Sequence, residues 1–188
     1  MPDGSQPGRG GGASLVTAPN LVTLGRLCAV PLACWLVLAH RLDLAFYLFV
    51  LAGLSDALDG WLARRYGGNA IGALLDPLAD KTLLVTMYVT LAVARELPDW
   101  LAILVVFRDL LIVGGAIVLG LLGQPWRSGP LLISKINTAL QILLIAAALC
   151  IGGFQLAAPA AMTALIWTVA ASTLLSGVAY VFAVAHGR

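Results

Sequence analysis

The sequence predicts an all-α integral membrane protein of six transmembrane helices with both termini on the cytoplasmic side, and three observations carry that expectation. The mean hydropathy is +0.97, and of 188 residues 61% are hydrophobic while only 11% are charged. The apolar residues fall into runs of about 20, the length that crosses a hydrocarbon core as a helix. Basic residues are divided unequally between the two sides that six crossings would define. Arg9, Arg26, Arg64, Arg65, Arg127 and Arg188 fall on the side of the termini, and only Arg41 and Arg95 on the other. Short basic loops stay in the cytoplasm, which orients the chain.

Residues 1–18 are rich in Gly, Pro and Ser, lack the apolar core of a secretory signal and carry only Arg9 as a basic residue. They read as a disordered tail. Residues 19–188 form one membrane domain with spans at about 24–39, 44–62, 71–94, 98–122, 131–152 and 159–184. No room is left for a soluble domain. The stretch "PNLVTLGR" before the first span reads as an interfacial segment in which Asn20 starts a helix. Cys28, Cys34 and Cys150 all lie in apolar runs, as buried reduced thiols acting as small hydrophobes. Trp35, Trp61, Trp100, Trp126 and Trp167 read as interface or packing residues. Basic residues are too few and too scattered for nucleic-acid binding.

Four of the nine acidic residues crowd into "SDALDGWLARRYGGNAIGALLDPLAD", residues 55–80. Asp56 and Asp59 close the second span, three apart, and Asp76 and Asp80 open the third, four apart, so each pair shares a helix face. "RRYGGN" between them has the Gly-Gly and Asn of a tight turn, which predicts antiparallel neighbouring helices and converging carboxylates. Four ionised carboxylates in a low-dielectric setting repel one another and require a cation. Hard oxygen donors with no His or Cys nearby select Mg²⁺, Mn²⁺ or Ca²⁺ over zinc, and two divalent ions would balance four charges. Each residue also has a plainer reading. Asp76 before Pro77 fits a helix N-cap, and Gly60, Ala63 and Gly72 fit close helix packing. Arg64 and Arg65 fit topology determinants, or Arg64 a phosphate ligand.

These residues resemble the signature of the CDP-alcohol phosphatidyltransferase family, Asp-x-x-Asp-Gly-x-x-Ala-Arg followed by Gly-x-x-x-Asp-x-x-x-Asp. Asp56, Asp59, Gly60, Ala63, Arg64, Gly72, Asp76 and Asp80 meet it at eight fixed positions. One departure is a connection of seven residues, 65–71, between Arg64 and Gly72, where the family usually has eight. The resemblance implies a membrane enzyme that transfers a phosphatidyl group from CDP-diacylglycerol to an alcohol and releases CMP. It assigns Asp56, Asp59, Asp76 and Asp80 to two Mg²⁺ or Mn²⁺ ions, with Asp80 also the catalytic base. It places Gly60, Ala63, Arg64, Gly72, Asn20 and Thr23 around the CDP moiety. It also suggests a homodimer among membrane lipids, and a bacterial inner membrane with the site facing the cytoplasm.

Arg108 and Asp109 lie about 15 Å into the fourth span, too deep for snorkelling. Adjacent helical residues do not face each other, so the expectation is that they do not pair mutually. Either each meets a different helix, or Arg108 lines a polar cavity. Lys135, near Ser134 and Asn137 at the start of the fifth span, is an interface anchor or a second cation for an acceptor phosphate. "RDLLIV" and "PLLISKINTALQILLIAAAL" resemble the cardiolipin synthase branch of the family. The glycerophosphate-using branch usually has Arg-Glu and a further basic residue where this chain has Gly114, Gly115 and Ala116. Phosphatidylglycerol is therefore the expected acceptor and glycerol 3-phosphate the alternative. A cation transporter is the rival from another class, because intramembrane carboxylates also line ion paths. A lipid-binding scaffold without turnover is a third reading.

Overall fold

A computed structural model describes the backbone of residues 18–66, 70–121 and 132–185, and the side chains of residues 25, 28–55, 81–115, 117–118, 120–121 and 132–182. Its described residues form six helices and no strand: α1 (Ala18–Leu38), α2 (Leu42–Tyr66), α3 (Ala70–Val93), α4 (Asp99–Leu121), α5 (Leu132–Gly153) and α6 (Pro159–Ala185). Every expected span has its helix. Two of them, α5 and α6, are long and apolar enough over described residues to cross a membrane.

The start of α1 differs from the expected 24, while that of α3 lies within one residue of the expected 71. α1 begins at Ala18, so Asn20 and Thr23 belong to the helix itself. Pro19 suits a first turn, where its missing N–H breaks no bond. α3 begins at Ala70, which makes Asp76 an interior helical residue and rules out the N-cap reading. A proline at 77 is tolerated inside such a helix because neighbouring groups in a membrane bundle can re-satisfy the freed backbone.

The helices pack as a ring in the order α1, α3, α4, α6, α5, α2, with α3 and α5 also touching across the middle. Among the described residues α2 and α3 are not in contact; α1 and α5 each pack against both. The aspartate-bearing ends of α2 and α3, to which the expectation of antiparallel neighbours and converging carboxylates applies, have their side chains outside the described residues.

The described core lies away from the aspartate-bearing turn. Val37 of α1, Ala45 of α2, Met87, Tyr88 and Leu91 of α3, Leu101 and Val105 of α4, Leu144, Ile145 and Leu149 of α5, and Val169 of α6 are all fully buried. Outside, Trp35, Ile103, Phe107, Leu110, Leu132, Trp167 and Phe182 are exposed. Apolar groups outward and polar ones (Asn137, Gln141, Thr173, Ser176) inward match a bundle whose surroundings are lipid. Trp100 and Trp167 lie against each other, ring centroids 5.5 Å apart. All three cysteines are free, as expected, but Cys28 is exposed and Cys34 and Cys150 are only half-buried, so the expected burial does not hold.

Left-handed residues cap three of these helices. His40, Arg95 and Gln155 have φ of 55°, 65° and 52°. Arg41 N–H donates to Leu36 O and Glu96 N–H to Leu91 O, both at 2.9 Å, and Leu156 N–H to Ile151 O at 3.0 Å. These are the bonds that close a helix end by satisfying its orphan carbonyls. At the same end, α5 meets the start of α2. A Cβ at Gly153 would lie 2.5 Å from Asp43 N and 2.8 Å from Asp43 Cα, both backbone atoms that cannot rotate away. Gly153→Ala is therefore expected to lower stability by about 1–3 kcal/mol, read as a drop in melting temperature in detergent. Gly114→Ala, with nothing within 4 Å, is the control and should change little.

Candidate active site

The aspartates lie on consecutive helices, Asp56 and Asp59 on α2 and Asp76 and Asp80 on α3. Gly60, Ala63 and Arg64 follow on α2, and Gly72 precedes Asp76 on α3. Asn20 and Thr23 lie on α1, which packs against both of those helices. The side chains of these ten residues lie outside the described ones, as does the Gly-Gly-Asn turn at 67–69. At the level of the backbone, both aspartate pairs keep the helical spacing that puts each on one face.

The acceptor-side candidates are described in full. Arg108 is only 4% exposed, and its guanidinium ties three helices together. Nη1 donates to Asp109 Oδ1 at 2.7 Å, and Nη2 donates to Ser134 Oγ of α5 and Ser176 Oγ of α6. The expectation that Arg108 and Asp109 do not pair mutually is thus overturned. Successive Cβ atoms diverge on a helix, but the long arginine stem swings its planar fork back around the helix surface to its neighbour. The alternative of cross-helix ties is met at the same time, by the other guanidinium nitrogen. Arg108 Nε is buried and has no partner among the described residues.

Asp109, 7% exposed, also lies 3.4 Å from Lys81 Nζ on α3. Lys81 is the residue after Asp80, and reading the acids alone passed over it; a cation inside an apolar span was the available signal. Lys135 is exposed and makes no ion pair among the described residues. Arg108 reaches its immediate neighbour Ser134, so both cations belong to the same corner of the bundle, but they do not share a partner.

Below this corner a polar seam continues between α5 and α6. Asn137 Oδ1 accepts from Ser172 Oγ at 2.7 Å and Thr173 Oγ1 at 2.9 Å. Deeper still, Tyr88 Oη donates to the Gln141 carbonyl at 3.2 Å. A groove of about 390 Å³ between α4 and α6 is lined by Phe107, Arg108, Thr173, Gly177, Val181 and Phe182. It is apolar apart from Arg108 and Thr173, which suits an acyl chain beside a cation. A second groove, of about 670 Å³, opens between α3 and α4 at Arg95 and Asp99, the opposite end of α3 from Asp76 and Asp80.

Of the described glycines of α4, Gly115 has a steric cause and Gly114 and Gly120 have open space. A Cβ at Gly115 would lie 2.5 Å from Tyr180 Oη, and that hydroxyl is held by Ile112 O at 3.2 Å. A basic side chain at 115 would have to displace Tyr180.

The chain belongs to the CDP-alcohol phosphatidyltransferase family, whose model matches residues 16–184. It is 38% identical, over 91% of its own length and 58% of the relative's, to the chloroplastic CDP-diacylglycerol–glycerol-3-phosphate 3-phosphatidyltransferase 1 of Oryza sativa subsp. japonica. It is 34% identical to the cardiolipin synthase (CMP-forming) of Rattus norvegicus, over 75% of this chain and 52% of that one. Against the enzyme of that name from Streptomyces coelicolor the identity is 35%, over 53% and 49%. The chain therefore spans about half the length of the curated relatives it matches.

Proposed function

We propose that this protein is a membrane phosphatidyltransferase of phospholipid synthesis: an alcohol oxygen attacks the β-phosphorus of CDP-diacylglycerol, the phosphatidyl group moves to it, and CMP leaves. The observation that carries this reading is the set of eight signature residues, from Asp56 to Asp80, borne by two consecutive helices of a chain that belongs to the family. A cation path would need the acids but not the fixed Gly, Ala and Arg positions around them. The six helices each cross a bacterial inner membrane, with the termini and the aspartates cytoplasmic, and the enzyme is a homodimer. The unequal distribution of basic residues supports that orientation.

The donor set fits hard divalent ions, because the segment offers carboxylate oxygens and neither His nor Cys. Asp56, Asp59, Asp76 and Asp80 would hold two Mg²⁺ or Mn²⁺. Bound there, the ions neutralise the diphosphate. Asp80 accepts the proton of the attacking hydroxyl, Gly60 and Ala63 leave room for the nucleotide, and Arg64 pairs with its phosphate. Exhaustive chelation is expected to abolish CMP release, with recovery on adding Mg²⁺ or Mn²⁺; full activity after chelation would sink the paired-metal reading.

Phosphatidylglycerol is the acceptor, with Arg108 and Lys135 holding its phosphate. Two things support it: the Arg108-lined groove beside an apolar wall, and Tyr180 occupying the space of a further basic residue at 115. Glycerol 3-phosphate is the second reading, favoured by the identity with the rice glycerol-3-phosphate transferase. The test is CMP release by purified protein with CDP-diacylglycerol, Mg²⁺ and each acceptor, lipid products being separated. Phosphatidylglycerol should outcompete glycerol 3-phosphate. The reverse would overturn the cardiolipin reading and leave the transferase reading standing, whereas no CMP with any acceptor would overturn both.

A further inference from the structure

One carboxylate, that of Asp109, receives two cations through the same oxygen, Oδ1: Arg108 Nη1 at 2.7 Å and Lys81 Nζ at 3.4 Å. For charge balance Arg108 alone is enough, since a buried carboxylate needs one positive partner. Lys81 therefore adds nothing to neutrality. What it adds is a tie between α3 and α4. These helices form a hairpin whose turn is locked at the far end by Arg95, in its left-handed conformation, and by the Glu96–Leu91 backbone bond. Lys81 and Asp109 each lie about 15–18 Å along their helices from that turn, at 1.5 Å per residue. Packing against α1, α4 and α5 holds the middle of α3, with Met87, Tyr88 and Leu91 fully buried. The Lys81–Asp109 pair is a polar tie at the other end of that packed stretch, and Lys81 adjoins Asp80 in the sequence.

We propose that Asp109 is a positioning residue: through Lys81 it sets the rotation of the α3 segment that carries Asp76 and Asp80, and through Arg108 it couples that segment to the acceptor side. This rests on the reading of Asp80 as the base given under Proposed function. The single oxygen is the means of coupling. An anion that draws Arg108 towards itself loosens its hold on Oδ1 and leaves that oxygen to Lys81, so arrival of the acceptor strengthens the tie on the catalytic helix.

The test uses the full-length protein and four forms of it: unmutated, Lys81→Met, Asp109→Asn and the double variant, with Asp109→Glu as the conservative replacement. Each single change should lower kcat about tenfold or more per folded molecule, since ångström misplacement of a reacting group has effects of that size. The double variant should fall no further than the worse single one, and Asp109→Glu should recover much of the loss. A merely structural role would lower the melting temperature without this kcat pattern or the rescue. Singles that leave kcat within about twofold, or effects that multiply as at independent sites, overturn the proposal. Should the unmutated protein release no CMP at all, the functional reading fails by itself. Melting temperatures of the same four forms then decide the tie: non-additive shifts uphold it and additive shifts overturn it.

Discussion

Asp80→Asn is expected to lower CMP release by about 10²–10⁴-fold, the range over which a positioned general base acts, while leaving most CDP-diacylglycerol binding in place. The alcohol hydroxyl must lose its proton as its oxygen bonds to phosphorus, and an amide cannot take that proton. Asparagine keeps the volume of aspartate, so α3 is not repacked. Three carboxylates remain for the donor's diphosphate and its ions, which is why binding outlasts turnover. Asp56→Asn should differ in kind: the affinity for CDP-diacylglycerol and the affinity for the metal ions should both weaken. Both variants are read by single-turnover CMP release alongside a nucleotide-dependent thermal shift. Near-normal turnover by Asp80→Asn would remove Asp80 from the base's role. Loss of binding and turnover in equal measure would make it a ligand only.

The helices and the aspartate motif were legible in the chain for different reasons. Uninterrupted apolar runs mark spans because lipid leaves no other stable conformation for them, and all six helices follow those runs closely. Local start signals did worse. Pro77 resembles the first turn of a helix, yet α3 begins seven residues earlier at Ala70, because tertiary packing overrides a single unfavourable residue. The Arg108–Asp109 bond escaped a rule built on Cβ directions, which says little about a side chain as long as arginine. The partners Ser134 and Ser176 were beyond reach, since they depend on how α5 and α6 approach α4. Lys81 was visible but unread. A lysine in an apolar run, here next to Asp80, requires a carboxylate partner, and Asp109 was the one acid deep within an expected span not already assigned.

Replacing Arg108 by Ala is expected to raise the acceptor KM about tenfold or more while changing that of CDP-diacylglycerol much less. A phosphate entering a lipid-surrounded site leaves water and needs a cation to offset its desolvation. Truncating one partner of a buried charge pair costs about 2–5 kcal/mol, which is well over tenfold in affinity. The substitution also removes structure, because the guanidinium bonds Asp109, Ser134 and Ser176. The two hydroxyls can turn to carbonyls of their own helices, and hydrogen bonds between membrane helices average about 0.6 kcal/mol. Asp109 retains Lys81 at 3.4 Å. The loss of stability should therefore be modest, and a melting curve in detergent separates it from the kinetic effect. Arg108→Lys restores the charge without the planar fork, so it can reach one partner but not all of them at once. It should recover part of the acceptor affinity and little of the three-helix tie. An Arg108→Ala protein whose acceptor KM is unchanged while its CDP-diacylglycerol KM rises would move Arg108 from the acceptor to the donor side of the site.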